Sequence, residues 1–277
     1  MSNEFKDKTA IITGGATGLG QGLALALAGQ GANVVLASTN KERLEEAAGA
    51  IRGVGGRTLV VQCDVSDREA VRGLAARAID EFGAVDLLCA NAGVTTVGPF
   101  LAHRDEDWDW VIDVVLRGVT NCIQAFYPLM AKAGHGQILL TGSQAGLVPD
   151  WVLGHGPYTA AKSAVMALGA ALRPEAAAHG VGVTTLIPAS IESDILQSER
   201  SRPTRYGTAS DMGMLPTDMR PREGAPDPLP DTRFVLSAEE AANLILERLP
   251  EDPAYIVTHP GLKPLAEDYF DRILAAY

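Results

Sequence analysis

Thr13-Gly14-Gly15-Ala16-Thr17-Gly18-Leu19-Gly20 joins the apolar run Ala10-Ile11-Ile12 to an Ala- and Leu-rich segment, Leu19 to Ala28, that ends at Gly29 and Gly31. A short continuous apolar run reads as a strand buried on both faces. The Ala/Leu segment reads as a helix with glycine stop signals. Glycines in the connection permit backbone torsions closed to other residues and let a ligand approach the main chain. The free N–H groups and positive end of the helix then form a site for a diphosphate. Glycine clusters are common in turns. Between a buried strand and a helix, this one has the setting of a dinucleotide fingerprint.

Beyond that turn the pattern repeats. Val34–Ala37 is a second buried strand, Glu42–Arg52 is helical and Thr58–Val61 is a third strand. A helix near 67–82, a strand at Val85–Cys89 and a long helix from about Glu106 to Ala131 follow. Next come a strand at Gln137–Thr141, a helix from Tyr158 to about Ala178, which Pro174 should kink or shorten, and a strand at Val181–Ile187. Such alternation implies an α/β fold with a doubly wound parallel sheet. Leu196 to Phe234 breaks the pattern, with six of the sixteen prolines and three methionines. Helical spacing returns at Ala238–Leu249, a strand at Tyr255–Val257, and helical spacing again from Leu265 to Tyr277. The reading is one domain over 1–277, with a proline-rich substrate lid inserted at 196–235.

Composition narrows the function. The 277 residues are 47% apolar and carry 23 basic against 34 acidic side chains, a net charge of −11. Wholesale disorder is excluded, and nucleic acid is not the expected partner, because phosphate contacts need clustered cations. Thr9 to Asn40 carries no charge, but its glycines, Gln30 and Asn33 interrupt it, so no membrane partner is expected. MSNEFKDKTA has no secretory apolar core. Cys63, Cys89 and Cys122 form no CxxC pair and read as small core hydrophobes, with no metal site. A reducing, cytoplasmic setting is expected.

The end of the second strand selects the dinucleotide. A carboxylate there suits a ribose diol, whereas cations suit a 2′-phosphate. Ser38-Thr39-Asn40-Lys41, followed by Arg43, favours NADP(H) over NAD(H). Further on, Tyr158-Thr159-Ala160-Ala161-Lys162 opens a helix after Gly156-Pro157. Positions i and i+4 share a face, so the Lys162 ammonium can stand near the Tyr158 phenol and lower its pKa from about 10. Such a phenol serves as acid for reduction and base for oxidation of a carbonyl group. Ser143 follows the apolar strand Ile138–Leu140, where a strand end faces the ligand crevice.

Taken together, these residues resemble the short-chain dehydrogenase/reductase family over nearly the whole chain. The matches are TGGATGLG at 13–20, Asp64 after the third strand, Asn91-Ala92-Gly93 after the fourth, Ser143-Gln144-Ala145-Gly146, and YTAAK at 158–162. The resemblance implies a Rossmann fold and an NAD(P)-dependent oxidoreductase acting on an alcohol or ketone. It implies that Tyr158 is the acid/base, that Lys162 binds the nicotinamide ribose and tunes the phenol, and that Ser143 holds the carbonyl oxygen. Gly14, Thr17, Gly18, Leu19 and Gly20 would cradle the diphosphate. Asp64 and Val65 would line the adenine site, Asn91, Ala92 and Gly93 the cofactor floor, and Pro188, Ile191 and Ser193 the nicotinamide.

The chain departs from the family pattern in one place that matters. Asp113-Val114-Val115-Leu116-Arg117-Gly118 puts Val115 where the family has an Asn that anchors a proton relay to Lys162. Asn121 is six positions on and points elsewhere. Two readings follow: activity retained through Ser143, Tyr158 and Lys162, or a cofactor-binding sensor or scaffold whose catalysis is weak or lost. The Ser143–Tyr158 interval is about two residues longer than usual, which brings Trp151 towards the pocket. The segment from Ser193 to Thr208 resembles bacterial aryl-alcohol, lignin-type Cα-dehydrogenases. A bulky aromatic secondary alcohol or ketone is therefore expected, touched by Val115, Gln144, Trp151, Met212 and Met214. Trp108, Trp110 and the apolar residues through Phe126 suggest pairing of long helices in a homodimer or homotetramer.

Overall fold

The computed structural model describes residues 4–209 and 235–277. Strand β1 (Thr9–Thr13), buried along its length, leads through the glycine turn into α1 (Gly18–Gly29). Two more such units follow: β2 (Asn33–Ser38) with α2 (Lys41–Gly53), and β3 (Arg57–Gln62) with α3 (Arg68–Phe82). After β4 (Leu87–Ala90) the chain runs through α4 (Asp105–Ile112), a π-helical turn (Asp113–Arg117) and α5 (Gly118–Ala133). Then come β5 (Gly136–Thr141), the short α6 (Gln144–Leu147), α7 (Gly156–Ala177) and β6 (Val181–Ile187). Two-residue strands β7 (Ser190–Ile191) and β8 (Val235–Leu236) pair with each other, and α8 (Ala238–Arg248), β9 (Tyr255–Val257) and α9 (Lys263–Leu274) complete the chain.

The main sheet is parallel throughout, in the order β3-β2-β1-β4-β5-β6-β9. Strands buried on both faces need helices on both. One core packs α1, α2 and α8 on the sheet through Leu23, Leu27, Leu44, Ile51 and Ile245. The opposite core packs α3, α5 and α7 through Leu74, Ile123, Phe126 and Val165. Strand order reverses between β1 and β4, and the carboxyl ends of these strands open onto a crevice there.

The structure differs from the sequence reading in four respects. Helix α7 runs three residues beyond Pro174, because Leu172 and Ala176 stay packed on the sheet-side core around it. The long central helix is not uniform: its middle widens into the π turn that carries Val115. Trp110 and Phe126, part of the apolar run that suggested pairing of chains, are buried within this one. Short 3-10 turns at Ile195–Ser201 and Thr204–Tyr206 stand where little order was expected. The three cysteines are buried and free, as expected, and desolvation pushes their thiols up. Among the described residues no helix is long and apolar enough to cross a membrane, and no cluster could hold a metal ion.

Candidate active site

A cleft of about 1240 Å³ runs along the carboxyl ends of the strands, from the glycine turn to the N-terminus of α7. At one end it is lined by Gly14, Thr17, Gly18 and Leu19. Gly14 and Gly18 have φ of +67° and +54°, which glycine adopts without strain. Gly20 does not line the cleft, contrary to expectation. A side chain there would collide with the Gly14 carbonyl, so Gly20 serves by letting the helix start pack on the turn. The cradle fits a diphosphate held by main-chain N–H groups.

Behind the turn, Thr13 Oγ1 accepts from the N–H groups of Asn91 (3.0 Å) and Ala92 (3.1 Å). Asn91 Nδ2 donates to the Thr13 carbonyl at 3.1 Å, and Thr141 Oγ1 donates to Asn91 Oδ1 at 3.3 Å. One amide thereby ties the ends of β1, β4 and β5 together under Ala92 and Gly93, which also line the cleft.

Ser38, Thr39 and Asn40, at the end of β2, line the cleft, but Lys41 does not. Asn40 caps α2 by accepting from Arg43 N–H at 2.9 Å, and the first turn then directs Arg43 rather than Lys41 into the cleft. The Arg43 guanidinium reaches Asp194 at 2.6 Å. Asp64 and Val65 lie beside it. Burial alone would raise the Asp64 pKa, but hydrogen bonds from Ser66 and Arg205 (2.7 Å) hold it below the usual carboxylate range. Asn121 donates to the carbonyl oxygens of Val65 (2.9 Å) and Ser66 (3.3 Å), away from Lys162 as expected.

Ser143, Tyr158 and Lys162 meet at the centre of the cleft. Ser143 caps α6 by accepting from Ala145 N–H at 3.1 Å, which leaves its own proton to point at the Tyr158 oxygen. Lys162 is 2% exposed; its Nζ lies 5.6 Å from the Tyr158 ring centre and donates to the Thr141 carbonyl at 2.5 Å. The sequence reading has the ammonium lower the phenol pKa. Desolvation dominates instead: the phenol is pushed up to about 12, partly offset by a hydrogen bond from Ser143, and Lys162 is pushed down to about 7.

Val115 does not line the cleft, which corrects its assignment as a substrate contact. It is fully buried against Val111, Ala161 and Tyr158, on the inner side of the π turn. Gln144 and Trp151 do line the cleft, as do Pro188, Ile191 and Ser193. Met212 and Met214 lie outside the described residues.

The sequence reading missed the arm after β7. Arg202 is buried over the Trp110 ring and bonds Asp107 at 2.6 Å, and Tyr206 donates to Asp113 at 2.9 Å. Arg205 reaches Asp64, and Asp194 reaches Arg43. It also missed His155, three residues before Tyr158 on the cleft wall.

The model of the short chain dehydrogenase family matches residues 8–204. A C alpha-dehydrogenase from Sphingobium sp. strain SYK-6 is 33% identical, over 98% of this chain and 87% of its own. A short chain dehydrogenase/reductase from Burkholderia phymatum, solved in complex with NAD, superposes with a TM-score of 0.85 at 30% identity, covering 99% of this chain and 96% of that one. The apo form of LigD from Sphingobium sp. strain SYK-6 gives 0.80 at 28% identity, over 99% of both chains. With its parallel sheet and glycine cradle, the chain belongs to the short-chain dehydrogenase family, NAD(P)-dependent oxidoreductases acting on CH–OH or carbonyl groups.

Proposed function

We propose that this chain transfers a hydride between NADP(H) and a bulky aromatic secondary alcohol or its ketone, with Tyr158 exchanging the proton. The observation that carries this reading is the convergence of Ser143, Tyr158 and Lys162 in the same cleft as the glycine cradle. A bound nicotinamide supplies or accepts the hydride. Ser143, whose proton turns from the Tyr158 oxygen to the substrate, donates to the carbonyl oxygen and orients it. Tyr158 holds its proton tightly and releases it to that oxygen as negative charge develops there, which suits the reducing direction. Lys162 stands beneath the ring, anchored on Thr141, where it would hold the ribose of a bound nicotinamide.

Support for NADP(H) is the absence of a carboxylate at the end of β2, together with Arg43 at the cleft wall; Arg43 replaces Lys41 as the phosphate-binding cation. Asp194 holds that guanidinium and must yield it to a 2′-phosphate. The substrate class is supported by the similarity to the Sphingobium C alpha-dehydrogenase and by Trp151 and Leu196 on the cleft wall. Pairing of two or four chains through α4 and α5 belongs to the same proposal, and light scattering measures it.

A second reading, a cofactor-binding sensor, is favoured by the dry packing around Val115 beside the candidate triad. Aryl ketones are offered with NADPH and its absorbance is followed. Turnover that Tyr158→Phe abolishes, with cofactor binding intact, supports the enzyme. Unchanged turnover in that variant refutes the assignment of Tyr158. Tight NADPH binding without turnover on a broad ketone panel supports the sensor.

A further inference from the structure

This inference deepens the reading that substrate sits against Tyr158, and concerns the ring beside it. His155 lines the same cleft and meets the Tyr158 ring edge-on, 6.2 Å between centroids. Its Nδ1 lies 2.9 Å from Thr95 Oγ1. A threonine hydroxyl has one proton, and Thr95 gives it to the Thr96 carbonyl at 3.2 Å. Both bonds are made together only when Thr95 Oγ1 accepts from His155, the tautomer that has the imidazole proton on Nδ1 and a lone pair on Nε2.

That Nε2 has no hydrogen-bond partner among the described residues, and it is not sealed off as the unpartnered Gln144 Nε2 is. The ring it belongs to lines the cleft. Thr95 is itself held in place: its N–H donates to Ser198 Oγ at 3.2 Å, and Ser198 donates to the Ile195 carbonyl at 2.5 Å. Burial, with His103 nearby, depresses the His155 pKa, so the ring is neutral at neutral pH and keeps its lone pair.

We propose that His155 Nε2 accepts a hydrogen bond from a substrate hydroxyl other than the one that reacts, so that the enzyme selects ketones and alcohols bearing a second hydroxyl group. A pre-oriented acceptor discriminates strongly, since a substrate lacking the donor leaves it unpaired.

The test compares aryl ketones carrying one hydroxyl, on the ring or on the alkyl chain, with their methyl ethers. Wild type, His155→Phe and Thr95→Val are assayed with NADPH, and the hydroxyl-to-ether ratio of kcat/KM is read. Wild type should prefer at least one hydroxylated ketone by roughly ten- to a hundredfold. The ratio should fall to near one in His155→Phe and part of the way in Thr95→Val, where the Nδ1 proton has lost its acceptor. A ratio unchanged in His155→Phe, or a wild type that turns over both members equally, overturns the proposal. Should His155→Phe fail to fold, an unchanged ratio in Thr95→Val does the same. If wild type reduces no ketone at all, the reading centred on Tyr158 fails, and this inference fails with it.

Discussion

Lys162→Met exchanges a buried ammonium for an apolar chain of similar length. Burial pushes the Lys162 pKa from 10.5 down to about 7, which corresponds to about 5 kcal/mol against the charged form. The folded value lies below the unfolded one, so between these values the unfolded chain binds more protons. Wild-type stability therefore rises with pH through that window: the penalty is full below about 7 and gone above 10.5. By about pH 9 only about 2 kcal/mol of it is left, a relief of about 3 kcal/mol relative to about pH 6. The methionine variant lacks this dependence. It loses the hydrogen bond to the Thr141 carbonyl, at a cost of about 1 kcal/mol that does not vary with pH. Groups that titrate in both proteins cancel in their difference. The melting temperature of the variant minus that of wild type should thus be higher at about pH 6 than at about pH 9, by roughly 6–12 °C for a domain this size. Calorimetry on both proteins measures it, and the variant should also lose turnover. A difference that does not change with pH would refute the claim that a charge is held there against its solvation.

Three further outcomes are expected. Arg202→Met removes the 2.6 Å ion pair of the fully buried Asp107, which keeps the Arg104 N–H at 2.9 Å, and should cost about 3–5 kcal/mol in urea unfolding, whereas Arg72→Ala, from an exposed pair with Glu69, should cost under about 0.5 kcal/mol. Val115→Asn puts an amide among apolar side chains, and should lower stability by about 1–3 kcal/mol without raising kcat; a higher kcat would show that a relay had been restored. Arg43→Ala should raise KM for NADPH about tenfold and leave NADH unaffected, while Asp194→Asn, which frees that guanidinium, should lower KM for NADPH; steady-state kinetics with both cofactors measures both.

Most of the sheet was legible because strands buried on both faces must be continuous apolar runs; Val181–Ile187 and Tyr255–Val257 fall where the runs do. The glycine turn and the Tyr158/Lys162 pair were legible for a related reason: both depend on short-range spacing. What escaped depends on long-range geometry. A π turn changes which residues face inward without altering the apolar pattern, so Val115 was assigned to the cleft although it packs behind it. Lys41 and Arg43 look equivalent in the sequence, and only the cap by Asn40 decides which one lines the cleft. Arg202, Arg205 and Asp194 find partners some 95, 141 and 151 residues away, and nothing in a local charge pattern addresses them. His155 was overlooked because its chemistry comes from Thr95, sixty residues earlier.

The pairing of Ser190–Ile191 with Val235–Leu236 has an evolutionary corollary. It brings together the two ends of everything between them, on the wall of the cleft. A polymer whose ends are already joined pays only a logarithmic entropy for added length. Residues can therefore be gained, lost or exchanged inside that clasp while the hydride-handling floor keeps its register. Descendants of such a scaffold can diversify in what they recognise without renegotiating how they react.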